Sequence, residues 1–318
     1  MDEFIRGNHH LTLSVGPAQE DYDFHTGVLG LYSVKKTVLF DGTLPIYHLY
    51  YGSRRGSAST LLTTFPFRQA GVLGRRGGNQ TKILNLSVPA DSLGYWGSRL
   101  TEHGIAVEEV ELFGLRRLHF AHPCGIEYAL VGEPAIDDRE PYDGSQVPVE
   151  HAIHGTHGVT ISVRDPDEMC EFVENGLRGR PAGADGASRK FDVATSGYGG
   201  AIEILHEPDL PQASWRFGEG VVHHVAYDVG DPDTQQRAKD WLEGLGYTDC
   251  SERKDRQYFY SVYMRSPGGA LIELAYSRPE GFEIDEAFDK LGSDFMLPPQ
   301  FEDRRAEILA RLEPIERG

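Results

Sequence analysis

Four segments of the chain open in the same way, and this internal repeat constrains the fold more than any other feature of the sequence. Each opening alternates apolar and polar residues and closes on a valine. The closing valines Val15, Val88, Val163 and Val229 are 73, 75 and 66 residues apart. A period near 70 residues, repeated four times, predicts four copies of one supersecondary unit.

Each opening strand is followed by a helix-like stretch and then by strands punctuated with glycine. Period-two alternation indicates strands with one buried face, and apolar residues at helical spacing, such as Met169, Phe172 and Val173, indicate amphipathic helices. The predicted helices are 18–29, 90–103, 166–177 and 232–245, and the later strands are 45–52, 59–65, 117–121, 126–131, 201–206, 258–265 and 270–277. Each unit reads βαβββ, so the predicted fold class is α+β. The competing explanation is that short alternating strands recur by chance in any α+β protein.

The repeat divides the chain into four modules. We place them at residues 1–80, 81–150, 151–209 and 210–318, with the Pro-, Asp- and Gly-rich stretch 133–150 as a linker. After Ser277 the chain leaves the repeat. Pro298 and Pro299 precede a predicted surface helix over 302–312, with Ile308, Leu309 and Leu312 on one side. The fourth module is therefore expected to carry a C-terminal helical extension.

Charge and cysteine content narrow the functional class. With 31 basic and 49 acidic residues the formal net charge is −18, and such a field repels both nucleic acid and anionic lipid. The three scattered cysteines, Cys124, Cys170 and Cys250, form no disulfide framework, which is typical of a reducing compartment. No stretch is apolar enough to cross a membrane. We expect a cytoplasmic protein with a small-molecule ligand and no nucleic-acid or membrane partner, and we leave homo-oligomers open.

Histidine and glutamate occupy equivalent positions in two of the four modules. The opening strand carries His10 in module one and His224 in module four, where the other two modules have Ile83 and Gly158. The last strand of module four contains Glu273 among apolar residues. Any of these residues alone would be an ordinary strand residue, but their coincidence indicates a 2-His-1-carboxylate set, typical of non-haem Fe(II) oxygenases.

This ligand set also predicts how the modules pair. Modules one and four must share one metal-binding domain, because ligands come from both, which leaves modules two and three to form the other domain. Glu203 resembles Glu273, but its modules lack the matching histidines. His157 is one residue out of register, which turns its side chain to the opposite face, so we interpret it as structural. No metal-ligand spacing connects His119, His122, His151 and His154.

Longer segments carry a resemblance to a known family. They are HHLT at 9–12, DGTLPIYHLY at 41–50, TTFP at 63–66, REPYD at 139–143, LHEPD at 205–209, EGVVHH at 219–224 and PPQF at 298–301. From about residue 8 to 312 the chain resembles the ring-cleaving dioxygenases of the hydroquinone 1,2-dioxygenase group, including the chlorohydroquinone enzymes, in the vicinal oxygen chelate superfamily. The resemblance implies paired βαβββ modules and Fe(II) bound by His10, His224 and Glu273.

The resemblance further implies the activity and the residues around the metal. The reaction would be extradiol-type ring cleavage of a para-hydroquinone, substituted or chlorinated in some relatives, with O2. The implied residues for proton transfer and substrate orientation are His223, Tyr263 and Arg256, with His9 and Thr12 beside the metal.

Strand geometry supports these assignments only in part. Thr12 shares the ligand-bearing face of its strand with His10. His9 and His223 are adjacent to ligands, and strict alternation would turn them away unless their strands are frayed or bulged. Arg256 is seven residues from Tyr263, so it must precede the regular strand.

Three alternatives stay open from the sequence. A catechol extradiol dioxygenase would bind an ortho-diol at the same iron. A glyoxalase-type metal isomerase would need a second glutamate, where module one has Thr63 and Thr64. An aromatic-binding resistance protein would consume no oxygen with any diol.

Overall fold

Sixteen strands and five α-helices form the part of the chain that the computed structural model describes, residues 3–39 and 44–316. The strands are β1 (Gly7–Val15), β2 (Tyr32–Leu39), β3 (Ile46–Gly52), β4 (Leu61–Pro66), β5 (Gln80–Pro89), β6 (Glu108–Leu112), β7 (Leu115–Ala121), β8 (Glu127–Glu133), β9 (Gly155–Val163), β10 (Arg180–Asp185), β11 (Ser188–Asp192), β12 (Ala201–His206), β13 (Val221–Asp228), β14 (Lys254–Asp255), β15 (Phe259–Arg265) and β16 (Leu271–Ser277). The helices are α1 (Ala18–Asp23), α2 (Leu93–Glu102), α3 (Asp167–Glu171), α4 (Pro232–Gly244) and α5 (Arg305–Leu309).

The strands make two eight-stranded sheets of matching design. The first has the order β14-β15-β16-β13-β1-β4-β3-β2, and the second has the order β10-β11-β12-β9-β5-β8-β7-β6. At the centre of each sheet the opening strands of two modules pair antiparallel, β1 with β13 and β5 with β9. The predicted α+β fold of four βαβββ modules is confirmed. The exact domain boundaries stay a prediction.

The opening strands bury both of their faces. In β1 the alternating residues Leu11, Leu13 and Val15 are fully buried in a core that includes apolar side chains from both sheets. The other face of β1 carries His10 and Thr12, which are also buried. A strand whose polar side chains lie on a buried face of the sheet is suited to forming a binding site on that face.

The predicted helices lie close to their observed positions but are less regular. The helices predicted over 18–29 and 166–177 are α-helical only in α1 and α3, and each continues as a π-helical turn, Phe24–Val28 and Phe172–Gly176. Helix α4 begins at a true cap, where the Asp231 carboxylate accepts the backbone N–H groups of Asp233 and Thr234. No helix in the described residues is long and apolar enough to span a bilayer.

The C-terminal extension differs from its prediction. Instead of one helix over 302–312, a 3-10 helix covers Pro299–Arg304 and the α-helix covers only Arg305–Leu309. Ile308 and Leu312 are buried with Val38, but Leu309 is 42% exposed. The extension is held by contacts with β2 rather than by one continuous apolar stripe, so Leu309 has no apolar surface to cover.

Some sequence features fall outside these elements. Residues 41–43 of the family-like segment 41–50, and residues 1–2 and 317–318 of the terminal modules, lie outside the described residues. Strands β2, β6, β10, β11 and β14 were not among the predicted strands. Strand β10 is exposed throughout and has no apolar alternation, and β2 contains the fully buried Lys35.

Candidate metal centre

Two β-bulges shape the centre of the first sheet. The pairing of β1 with β13 shifts register at His9 on one strand and at His223 on the other, so each strand carries one extra residue there. The bulges keep each extra histidine beside its neighbour: the Nδ1 atoms of His9 and His10 are 2.9 Å apart, and those of His223 and His224 are 2.8 Å apart. Bulges are therefore present where sequence alternation alone would have turned these residues away.

The structure brings His10, His224 and Glu273 together. Their strands β1, β13 and β16 are neighbours in the sheet. His224 Nε2 lies 3.0 Å from His10 Nε2 and 2.9 Å from Glu273 Oε2, and His10 Nε2 lies 3.6 Å from Glu273 Oε2. A divalent cation with bonds of about 2.1 Å separates neighbouring octahedral ligands by about 3.0 Å. The spacing of the three atoms suits such an ion.

The hydrogen bonds of these three side chains are consistent with unprotonated nitrogen and oxygen atoms where the side chains face one another. His10 and His224 each direct Nδ1 at the neighbouring histidine, so a proton on Nδ1 leaves a lone pair on Nε2. Glu273 Oε1 accepts a hydrogen bond from Ser261, while the buried Oε2 has no hydrogen-bond partner among the described residues. Acceptor atoms that converge in a protein interior are costly unless a cation joins them. The residues fit a metal ion.

Burial and charge set the protonation states that metal binding needs. Burial lowers the pKa of His10 well below its usual range, although the Glu273 carboxylate opposes this shift. Burial raises the pKa of the Glu273 carboxyl, but His10 and His224 outweigh it and hold that pKa below its ordinary value. Near neutral pH the cluster therefore holds a carboxylate and a neutral His10 imidazole, which is ready to bind a cation.

A cavity of about 900 Å³ opens onto the cluster. His10 and His224 form part of its wall, and the Phe259 ring lies 4.9 Å from the His10 ring. Cavities of this size are typical of small-molecule sites. The wall also contains residues of the C-terminal extension, from Pro298 to Phe301.

The five further residues assigned from the resemblance occupy different places. His223, Tyr263 and Arg256 line the cavity, and Arg256 Nε donates to the Tyr263 oxygen over 3.1 Å. Thr12 Oγ1 lies 2.8 Å from His224 Nε2. His9 is not among the cavity-lining residues: it lies behind His10 and bonds through Nε2 to Ser277 Oγ over 2.9 Å.

Sequence reasoning missed His48 and Tyr50, which also line the cavity. Both are on β3, two residues apart, and share one face of that strand. The alternation in the sequence PIYHLYY was visible. The sequence did not show which face of β3 points toward the metal ligands, because that depends on the pairing of β3 with β4 and of β4 with β1.

A second group of potential ligands, Asp21, His25 and His122, is buried between α1 and the second sheet. The backbone N–H of Cys124 donates to His122 Nδ1, so the proton of this ring is on Nε2, 3.4 Å from Asp21 Oδ1. His25 Nδ1 is 3.1 Å from the same oxygen. Asp21 Oδ1 and His122 Nε2 make no hydrogen bond within the described residues, but Asp21 Oδ2 accepts hydrogen bonds from the Tyr51 and Thr64 hydroxyls. Because protein side chains already bind this carboxylate, we interpret the group as structural.

The second sheet fills the equivalent position with a protein cation. Glu203 lies on β12 as Glu273 lies on β16. Its carboxylate accepts hydrogen bonds from both Nη atoms of Arg117, at 2.9 and 2.8 Å. Thr160 Oγ1 donates to the same carboxylate over 2.9 Å. His157 contacts Glu133 instead. A guanidinium in this sheet therefore provides the charge that a metal ion would provide in the first.

The sequence of this chain is similar to those of known proteins. Over 318 residues the chain is 39% identical to the chlorohydroquinone/hydroquinone 1,2-dioxygenase of Sphingobium indicum, covering 99% of this chain and 98% of that protein. The chain belongs to this family of ring-cleaving dioxygenases. It is 33% identical over 314 residues to MhqO of Bacillus subtilis, assigned as a ring-cleaving dioxygenase, covering 98% of this chain and 96% of MhqO. No protein-family model matches the dioxygenase.

Solved structures agree on the fold of this ring-cleaving dioxygenase. A Bacillus subtilis protein assigned as a dioxygenase superposes with a TM-score of 0.90 at 31% identity, covering 99% of both chains. Glyoxalase I from Zea mays gives a TM-score of 0.61 at 13% identity, covering 85% of this chain and 92% of that one. The second similarity concerns the fold alone, which is the vicinal oxygen chelate fold.

Proposed function

We propose that this dioxygenase opens the ring of a para-hydroquinone with O2, using Fe(II) held by His10, His224 and Glu273. The observation that carries the proposal is the convergence of three buried ligand atoms, two of them on histidines that line a large cavity. The printed activity of the Sphingobium relative supports a hydroquinone as the substrate. Bound there, Fe(II) would supply free coordination positions for the diol and O2 and a path for electrons between them.

His223 would act as a hydrogen-bond donor and proton-transfer residue in the cavity. If its Nδ1 accepts a hydrogen bond from His224 Nδ1, its own proton is on Nε2. The Phe217 ring stacks on the imidazole with centroids 3.6 Å apart and fixes its orientation. Burial and the neighbouring His224 lower the pKa of His223 well below its usual range, so the ring is neutral near neutral pH.

Tyr263 and Arg256 would orient the substrate oxygen. Because the Tyr263 oxygen accepts from Arg256, its own proton is free to be donated. Burial raises the pKa of Tyr263, which keeps that proton on the phenol. The permanent charge of the Arg256 guanidinium would stabilise a phenolate bound nearby.

Oxygen consumption by the Fe(II)-loaded protein tests this function. The protein would be loaded anaerobically and then offered a matched series of hydroquinones and catechols carrying the same substituents. We expect faster turnover of the hydroquinones. Equal or faster turnover of catechols would favour a catechol extradiol dioxygenase, and no oxygen uptake with any diol would favour an aromatic-binding protein.

A further inference from the structure

A chain of hydrogen-bonding side chains runs from the metal centre along the cavity wall. Thr12 Oγ1 lies 2.8 Å from His224 Nε2 and 2.7 Å from Thr63 Oγ1. Thr63 Oγ1 lies 3.1 Å from His48 Nε2, and His48 Nδ1 lies 3.0 Å from the Tyr50 hydroxyl. The proposed function uses none of the last three residues.

When a metal ion is bound, the direction of every hydrogen bond in this chain is determined. A ligating His224 Nε2 has neither a proton to give nor a lone pair to offer. Thr63 is then the one remaining hydrogen-bond partner of the Thr12 hydroxyl among the described residues, and a buried hydroxyl proton without an acceptor is costly, so Thr12 donates to Thr63. Each hydroxyl has one proton, so Thr63 donates to His48 Nε2. The proton of the neutral His48 ring is then on Nδ1, which donates to the Tyr50 oxygen.

The protonation state of His48 is consistent with this direction. Burial lowers the pKa of His48 well below its usual range, with His224 and Arg256 acting in the same sense. The ring is thus neutral near neutral pH and carries one proton, whose position depends on its two partners. Phe65 packs against the imidazole with ring centroids 4.4 Å apart, which limits its rotation.

One proton remains at the end of the chain. Tyr50 Oη accepts from His48 and still has its own proton to donate. Within the described residues, His48 is the one hydrogen-bond partner of this hydroxyl, and Tyr50 lines the cavity. Burial raises the pKa of Tyr50 well above its usual range, so the proton stays on the phenol.

We propose that Tyr50 donates a hydrogen bond to an oxygen of the bound aromatic diol, and that Thr63 and His48 are positioning residues through which the metal centre fixes that donor. The identity of the ligand rests on the function proposed above. The direction of the hydrogen-bond chain rests on metal binding alone.

Nitrogen NMR of the Zn²⁺-loaded protein tests the direction of the chain. Zn²⁺ is diamagnetic and supports no turnover, so the readout is independent of activity. Protonated and unprotonated imidazole nitrogens have well-separated ¹⁵N shifts, and the His48 signals are those lost in His48→Gln. We expect the His48 proton on Nδ1. A proton on Nε2 would overturn the inference even if the enzyme cleaves hydroquinones.

Binding of hydroquinone to the Zn²⁺-loaded protein tests the role of Tyr50. Loss of one neutral hydrogen bond in Tyr50→Phe should weaken binding about threefold to tenfold. Thr63→Val should weaken it comparably, because His48 is then free to adopt the other tautomer. Zinc content measured in parallel should equal that of the wild-type protein.

Adjacent residues provide matched controls. Tyr51 and Thr64 follow Tyr50 and Thr63 on the same strands but face the other way, where both hydroxyls donate to Asp21 Oδ2. Tyr51→Phe and Thr64→Val should leave hydroquinone binding unchanged. Wild-type binding by zinc-loaded Tyr50→Phe would refute its role, whereas failure of the wild-type protein to bind any diol would count against the proposed function itself.

Discussion

At the scale of single residues, the position of each imidazole proton decides what each histidine does. With Nδ1 as the donor to the neighbouring histidine, His10 and His224 keep Nε2 free for a metal, whereas His122 accepts at Nδ1 and keeps its proton on Nε2. Two clusters that look alike by residue type therefore differ in chemistry. The Glu273 carboxylate has one serine donor besides its histidine neighbours, whereas Asp21 Oδ2 accepts from both Tyr51 and Thr64.

Removal of any proposed ligand should abolish metal binding without unfolding the protein. In His10→Ala, His224→Ala and Glu273→Ala we expect severe loss of iron, since two ligands are too few to hold it, with little change in circular dichroism. His157→Ala removes a histidine outside the cluster and serves as the control. Full iron content in any one of the three ligand variants would exclude that residue from the ligand set.

Loss of the proposed hydrogen-bonding and proton-transfer residues should separate catalysis from metal binding. His223→Ala and Tyr263→Phe should retain iron and lower kcat, with His223→Ala falling by about 10²–10⁴-fold if the imidazole transfers a proton. Iron content and oxygen uptake at saturating hydroquinone would be measured on the same samples. Wild-type kcat in both iron-loaded variants would make Tyr263 and His223 packing residues.

The repeat made the three converging residues predictable, because equivalent positions in the modules could be compared. Comparison of the modules did not identify His48 or Tyr50, because their proposed roles depend on contacts with Thr63 on the neighbouring strand. His122 gave no signal either. It meets Asp21 and His25 only when two modules pack together, and sequence spacing carries no information about that contact.

At the scale of secondary-structure elements, α1 is fastened to the sheets by a charged group. Asp21 accepts hydrogen bonds from Tyr51 and Thr64 on β3 and β4, and it faces His122 after β7. Burial would raise the pKa of Asp21, but His25 and His122 hold it below its ordinary value. A buried carboxylate with this many donors stabilises the fold only while it is ionised.

This group predicts a pH-dependent difference between the wild-type protein and Asp21→Asn. The folded-state pKa of Asp21 is depressed, so its contribution is complete above the ordinary value of 3.8 and is lost as the pH falls below it. At neutral pH we expect Asp21→Asn to unfold more easily by about 1–3 kcal/mol. Denaturant titrations should show this difference shrinking below pH 3.8; a constant difference would contradict the assignment.

Strands were predictable where alternation was regular and was bounded by glycine, as in β12, whose predicted limits match the observed ones. Strand β2 was not, because Lys35 interrupts its apolar pattern. Lys35 is buried only because Asp285 and Glu286, each 2.7 Å away, come from the C-terminal extension. The carboxylates that stabilise this buried lysine are therefore about 250 residues away in the sequence.

At the scale of the whole molecule, Arg139 links the two sheets by hydrogen bonds next to the candidate metal centre. Arg139 Nη1 donates to the carbonyl of Ser59, before β4, and to that of Thr156 on β9. The backbone N–H of Ser59 in turn donates to the carbonyl of His9. Arg139 therefore links the second sheet to the start of the strand that carries His10.

Truncation of this side chain should destabilise the protein measurably. Arg139→Ala removes the guanidinium donor from two buried carbonyls. The Ser59 carbonyl keeps the backbone N–H of Thr156, so we expect a total loss of about 1–3 kcal/mol. The exposed pair of Arg116 and Glu109 provides the control, because Arg116→Ala removes a surface ion pair worth at most about 1 kcal/mol. Guanidinium chloride unfolding would compare the two. Equal losses would show that Arg139 does not join the sheets.

The central pairing of β1 with β13 has a consequence for the order in which the protein is made. Strands β5 to β12 are contiguous in the chain, so the second sheet is complete while β13 is still to be synthesised. At about 5–20 residues per second, β1 waits roughly 10–40 s for its partner, with an open edge that invites aggregation. That edge stays open in the nascent chain, and a metal ion can meet all three proposed ligands only after Glu273 has left the ribosome.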